Sequence, residues 1–152
     1  MNLKIIVLVF ISIFFGNNIY SQGFAMNFGY EYIGKSAGFV GLEYRLTDNS
    51  YSSSADNIGL GSYLTTYESK FILIPEIHYT KNLSKETGYF SQLSMSTKNI
   101  VPSVGINLLN AIQLKLGYSI PFQKNNGFKG INFGLNIFIG QDQFYDHLKM
   151  GF

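Results

Sequence analysis

The chain has 152 residues, of which only 13% are charged, whereas about 25% is typical of soluble domains. Its 11 Lys and Arg and 9 Asp and Glu give a formal net charge of +2, without any basic cluster. Since binding to a nucleic-acid backbone needs concentrated positive charge, nucleic acid is not an expected partner. Cysteine is absent, so no disulfide can stabilise the fold.

The N-terminus has the pattern of a secretory signal peptide. Lys4 precedes an apolar run from Ile5 to Phe15, and Ser21 is a small residue before a plausible cleavage point at Gln22. The apolar run is much shorter than the roughly 20 residues that a membrane-spanning helix needs. The sequence therefore predicts a signal peptide at 1–21, one domain at 22–140 and a C-terminal tail at 141–152.

After Gln22 the dominant pattern is alternation of apolar and polar residues, which is typical of half-buried β-strands. In the first segment Met26, Phe28 and Tyr30 share one face, while Asn27 and Glu31 share the other. Turn-forming residues separate the segments. The segments are predicted at 24–33, 38–47, 58–67, 70–80, 89–98, 101–109, 112–122 and 129–140.

The number and length of these segments predict the architecture. An even number of strands, each near the 9 to 11 residues that a tilted strand needs to cross a bilayer, is typical of membrane barrels. We therefore predict an all-β fold, an eight-stranded antiparallel up-and-down β-barrel.

The polar faces hold mainly small residues and few charges. Because the lumen of an eight-stranded barrel is just wide enough to be filled by side chains, we expect these charges to pair inside it. The expected interior charges are those of Glu31, Glu43, Arg45, Glu76, His78 and Lys115.

The dyad repeats at 26–32 and 131–137, together with the signal peptide, resemble small outer membrane β-barrel proteins of Gram-negative bacteria, such as the barrel domain of outer membrane protein A. The residue usage is similar to that of exported Bacteroidetes proteins. The resemblance spans roughly residues 22–140. It implies location in the cell outer membrane, with outer membrane lipid and the barrel assembly machinery as partners.

The chain ends in an aromatic residue, Phe152. Many barrels of this kind carry a C-terminal aromatic that the assembly machinery is thought to read. Here the last clear strand finishes near Gly140, so the resemblance leaves open whether Phe152 is such a signal.

One group of reactive side chains stands out. His78 shares a strand face with Glu76 and Thr80, so an acid, a base and a hydroxyl lie together. Outer membrane lipid A deacylases are similar in being eight-stranded barrels with a His, Ser and Glu set, but their spacing is not matched closely. The favoured interpretation is a lumen histidine that pairs with Glu76 or Glu43, so no catalytic residue is predicted.

No cofactor or metal site is predicted. His78 and His147 lie far apart, and the acidic residues lack ligand spacing. Glycine motifs such as Gly59-Leu60-Gly61 lie within predicted strands, where glycine relieves crowding.

The predicted function is a non-enzymatic integral outer membrane barrel with an envelope-structural or surface-interaction role. One alternative is a soluble periplasmic or secreted lipocalin-like barrel that binds a lipid, which would place the apolar faces inside. Another is a lipid-modifying enzyme that uses His78. The specific ligand, loop orientation and oligomeric state are left open by the sequence.

Overall fold

The computed structural model describes residues 23–46, 56–83, 88–108, 111–123, 127–140 and Phe144. The predicted signal peptide, most of the tail and Phe152 lie outside the described residues. Eight β-strands are present: β1 Phe24–Ile33, β2 Ser36–Arg45, β3 Asp56–Tyr67, β4 Lys70–Asn82, β5 Tyr89–Ser96, β6 Asn99–Leu108, β7 Ile112–Pro121 and β8 Gly130–Gly140. Each predicted segment corresponds to one strand, and the ends differ by at most two residues where both are described.

The strands form a closed barrel in sequence order. Every neighbouring pair is antiparallel, and β1 closes the barrel by pairing with β8, with Phe28 opposite Ile137. Closure leaves no free sheet edge along the paired part of the wall. No strand therefore exposes a row of unpaired backbone N–H and C=O groups there. The predicted fold class is confirmed.

The two ends of the barrel differ in their connections. At one end the β1–β2, β3–β4 and β5–β6 hairpins turn over two residues each, and the longer β7–β8 link returns beside them. We call this the hairpin end. The β3–β4 turn has positive φ at both Glu68 (50°) and Ser69 (62°), the geometry of a primed turn that matches strand twist. The other end, which carries Gly23 and Gly140, is called the terminal end.

Two prolines fall where the ladder is interrupted. Pairing of β4 with β5 starts at Glu76, so Pro75 has no partner on the β5 side and its missing N–H breaks no bond there. Pairing of β6 with β7 skips Pro102, between Ile100 and Ser103. Both prolines are therefore compatible with strands.

The side-chain orientation is the reverse of that in a soluble barrel. Large apolar side chains lie on the outside, while the lumen buries polar and charged ones such as Glu31, Glu76 and Lys115. Met26, Phe28 and Ile137 are exposed on the outer wall, and Leu114 alternates with the buried Gln113 and Lys115. Most of the charged side chains of the strands therefore lie in the lumen and not on the outer wall.

Candidate functional site

Among the described residues, five acidic or basic side chains converge in the lumen from four strands. They are all at most 4% exposed, and they are Glu31 of β1, Glu43 of β2, Glu76 and His78 of β4, and Lys115 of β7. Arg45, the sixth predicted interior charge, is half-buried at the last residue of β2. The predicted placement in the interior is therefore observed for five of the six charges.

His78 bridges two carboxylates. Its Nε2 lies 2.5 Å from Oε1 of Glu43, and its Nδ1 lies 3.0 Å from Oε2 of Glu76. Glu76 reaches the ring because residues two apart on a strand share a face. Two acceptor carboxylates, one at each nitrogen, match the two N–H donors of an imidazolium ring.

Lys115 and Glu31 form a second pair. The Nζ of Lys115 lies 2.5 Å from Oε1 of Glu31 and donates a 2.9 Å hydrogen bond to Oε1 of Gln92. Gln92 in turn donates to the hydroxyl of Thr80 at 3.0 Å. Asn132 donates to the other oxygen of Glu31 at 3.3 Å. Buried charges are tolerated when they are paired and hydrogen-bonded in this way.

Glycines provide the space for these side chains. A Cβ added to Gly59 would overlap the imidazole of His78, and one added to Gly134 would lie 2.6 Å from Cε of Lys115. The aromatic ring of Phe39 similarly lies against Gly61. Small residues on one strand thus face large ones on the next, which fills a narrow barrel.

An apolar plug closes the hairpin end of the lumen. It joins inward residues near that end to Phe128 of the β7–β8 link, and its members include Ile33, Phe39, Tyr63, Ile74, Val101 and Phe128. Ser119 donates a 2.6 Å hydrogen bond to the backbone oxygen of Phe128, which holds the link in place. A second cluster, Ala25, Phe138 and Phe144, lies at the terminal end.

These contacts determine what the charged cluster can do. His78 is 3% exposed, both of its nitrogens face carboxylates, and apolar clusters lie toward each end of the lumen. A general base needs access to a substrate, usually from a cleft. In this geometry His78 is a lumen histidine that contacts both Glu43 and Glu76.

Sequence reasoning identified the charges but missed several partners. The roles of Gln92 and Asn132 could not be assigned because many amides share the polar faces. The burial of Phe144 was also missed, since it follows the last strand. Among the described residues, no group of three or more His, Cys, Asp or Glu side chains is arranged to hold a metal ion.

No protein-family model, curated protein or solved structure matched this chain. The described residues contain no helix that is long and apolar enough to cross a membrane.

Proposed function

We propose that the protein is a small, non-enzymatic integral β-barrel of the bacterial outer membrane, with an envelope-structural or surface-interaction role. The observation that carries this proposal is the orientation of the side chains, with apolar residues outside and charged residues inside. The resemblance of the dyad repeats to small outer membrane barrels supports the same location.

The outer wall is apolar all the way round. Each of the eight strands contributes large exposed apolar residues, for example Phe28, Val40, Leu60, Leu73, Leu93, Val104, Leu116 and Leu135. Soluble monomers rarely expose contiguous apolar patches of more than a few hundred Å². A bilayer would remove this surface from water, which is the favourable term in barrel insertion.

Among the described strand residues, charges on the outer wall are confined to strand ends. Asp56 begins β3 and Lys81 is the penultimate residue of β4, whereas the exposed Lys70 at the start of β4 shares the inward-facing side of that strand with Ile74. Aromatic rings also gather near the ends: Phe24 and Tyr44 pack at the terminal end with centroids 4.7 Å apart. An apolar band flanked by aromatic girdles is typical of transmembrane barrels.

The interior supports a structural role over the alternatives. A lipocalin-like barrel needs an apolar cavity, whereas this lumen holds ion pairs and amides. A pore needs an open lumen, whereas eight strands leave little space and both ends carry apolar clusters. A buried, paired charge network with apolar plugs instead suits a rigid scaffold in the membrane.

Tryptophan placed on either face tests the proposal, because the chain has no native Trp. The protein would be refolded into vesicles containing brominated lipid as Phe28→Trp, which is outward, or Phe90→Trp, which is inward. We expect strong fluorescence quenching in the first variant and weak quenching in the second. A gel-mobility difference between unboiled and boiled samples would verify that both variants are folded.

The membrane proposal is wrong if the folded Phe28→Trp protein is not quenched and stays soluble without detergent. Quenching of both variants to the same extent would contradict the orientation on which it rests.

A further inference from the structure

The barrel wall has a notch at the hairpin end. Residues 70–75 of β4 pair with β3, but the β4–β5 ladder starts only at Glu76 opposite Ser96. The β3–β4 hairpin therefore rises past the β5–β6 turn. Beside this step lies a pocket of about 450 Å³, here called the rim pocket, whose lining includes Tyr67, Ile72, Leu73, Lys98, Gln123 and Phe128.

The lower part of the rim pocket is apolar and continuous with the outer wall. Leu73 is 61% exposed on that wall, and Phe128 belongs to the apolar plug beneath. Its volume is within the range of ligand sites, roughly 300–1,000 Å³. An acyl chain lying along the barrel could therefore extend over Leu73 without leaving the apolar surface.

One lysine lines the upper part, and a second lysine lies against a lining residue. Lys98, from the β5–β6 turn, lines the rim pocket, and Lys35, from the β1–β2 turn, places its Nζ 4.2 Å from the ring centroid of Tyr67. None of the described lining residues is acidic. Lys70 and Lys129 add positive charge elsewhere at this end, and Glu68 in the β3–β4 turn, next to Tyr67 in sequence, is an acidic residue there.

We propose that the rim pocket binds an anionic membrane lipid with a phosphate-bearing headgroup, the headgroup on Lys98 and Lys35 and an acyl chain against Leu73. Charge complementarity selects the headgroup, because lysines near a bilayer surface attract anionic lipids. The apolar lower part of the rim pocket favours a lipid over free phosphate, because it can contact an acyl chain. This inference rests on the proposed location of the barrel in a membrane.

The test uses equal charge changes at one end of the barrel. The full chain and two double variants would be purified in neutral detergent and titrated with phosphatidylglycerol or phosphatidylcholine of the same acyl length, with bound lipid counted by native mass spectrometry. One variant, Lys35→Gln with Lys98→Gln, changes the rim pocket. The matched control, Lys70→Gln with Lys129→Gln, removes the same charge outside it.

We expect the unmodified protein to retain phosphatidylglycerol about tenfold more strongly than phosphatidylcholine, as two nearby lysines permit. The Lys35/Lys98 variant should lose this preference, and the Lys70/Lys129 variant should keep most of it. Equal losses in both would indicate diffuse rim charge and overturn the site. A parallel titration with a phosphorylated lipid A distinguishes a glycolipid from a phospholipid as the preferred ligand, and preference for either supports the proposal.

Two further outcomes would contradict the proposal. Absence of any preference for phosphate-bearing lipids overturns the site, and so does displacement of the lipid by an equal concentration of inorganic phosphate. The Trp quenching experiment on the same preparation separates this failure from failure of the membrane proposal. A quenched, folded barrel without lipid preference would leave the membrane location supported and the rim pocket unassigned.

Discussion

Lys115 on β7 reaches across β8 to Glu31 on β1, with Nζ 2.5 Å from Oε1. Its aliphatic stem crosses the intervening strand at Gly134, where a Cβ would lie 2.6 Å from Cε of the lysine. The pair ties together strands that are not neighbours in the sheet. It therefore links the two sides of the β1–β8 closure through the lumen.

Replacing only the lysine of this pair should be costly. We expect Lys115→Met to lower the free energy of unfolding by about 3–5 kcal/mol, because it leaves the buried carboxylate of Glu31 without its cation. The measurement is urea unfolding in lipid vesicles, followed by gel mobility. The exposed Lys129→Met provides the control and should change stability by no more than about 0.5 kcal/mol.

The double variant Glu31→Gln with Lys115→Met should recover much of that loss, since no uncompensated charge remains. If the single and double variants are equally destabilised, the ion pair is not the cause. The loss would then come from packing of the lysine stem against Gly134.

Gly59 should be intolerant of a side chain, whereas Gly38 should accept one. A methyl group on Gly59 would overlap the imidazole of His78, which carboxylates hold at both nitrogens. A methyl group on Gly38 would meet Leu64 at an ordinary 3.8 Å. We expect Gly59→Ala to cost about 1–3 kcal/mol and Gly38→Ala to cost nothing measurable, in the same unfolding experiment.

A double-mutant cycle would assign the Gly59 effect to His78. Combined with His78→Ala, the Gly59→Ala change should add little further loss, because the overlapping ring is gone. Additive losses would indicate that the added methyl group acts through another neighbour, such as Oε1 of Glu43, which would lie 2.8 Å from it.

The alternating pattern predicted the strands well because the side-chain period of a strand is two residues. By this period Phe39 lies on the same face of β2 as Glu43, and both face the lumen. The alternation could not predict that Phe39 joins the apolar plug with Val101 and Phe128, because these residues come together only when the barrel closes. The primed turn at Glu68 and Ser69 was also hidden, since neither residue is the Asn or Gly that usually marks one.

The candidate site was predictable in part for a related reason. Glu76 and His78 lie two residues apart on one strand, so their contact follows from local geometry. The contact of His78 with Glu43 is 35 residues away in sequence, and it depends on the register of β2, β3 and β4. Alternation specifies the face of the sheet on which each side chain lies. It does not specify which residues of separate strands lie at the same height in the barrel.

His78 gives a direct test of the enzymatic alternative. We expect His78→Ala to lower the free energy of unfolding by about 3–5 kcal/mol, because Glu43 and Glu76 lose the group that bridges them. Envelope lipid composition, measured by mass spectrometry in cells that express the variant, should remain unchanged. Altered lipids with unaffected barrel stability would instead favour a catalytic role.

The control for this variant removes the uncompensated charges. His78→Ala combined with Glu43→Gln and Glu76→Gln should be more stable than His78→Ala alone. A further loss of stability would indicate that the carboxylates have other stabilising partners, such as the amide of Asn27, which donates to Glu43 at 2.8 Å.

Phe144 and Phe152 should have separable effects. Phe144 is fully buried beside Ala25, and its ring centroid lies 5.7 Å from that of Phe138. Phe144→Ala should therefore lower the stability of refolded protein by about 3–5 kcal/mol through loss of buried area and formation of a cavity. The sequence leaves open whether Phe152 is an assembly signal, and such a signal would act only during insertion in cells. In that case Phe152→Ala should reduce the heat-shifted fraction in isolated membranes and leave the unfolding midpoint of refolded protein unchanged, whereas a lowered midpoint would show that Phe152 stabilises the barrel itself.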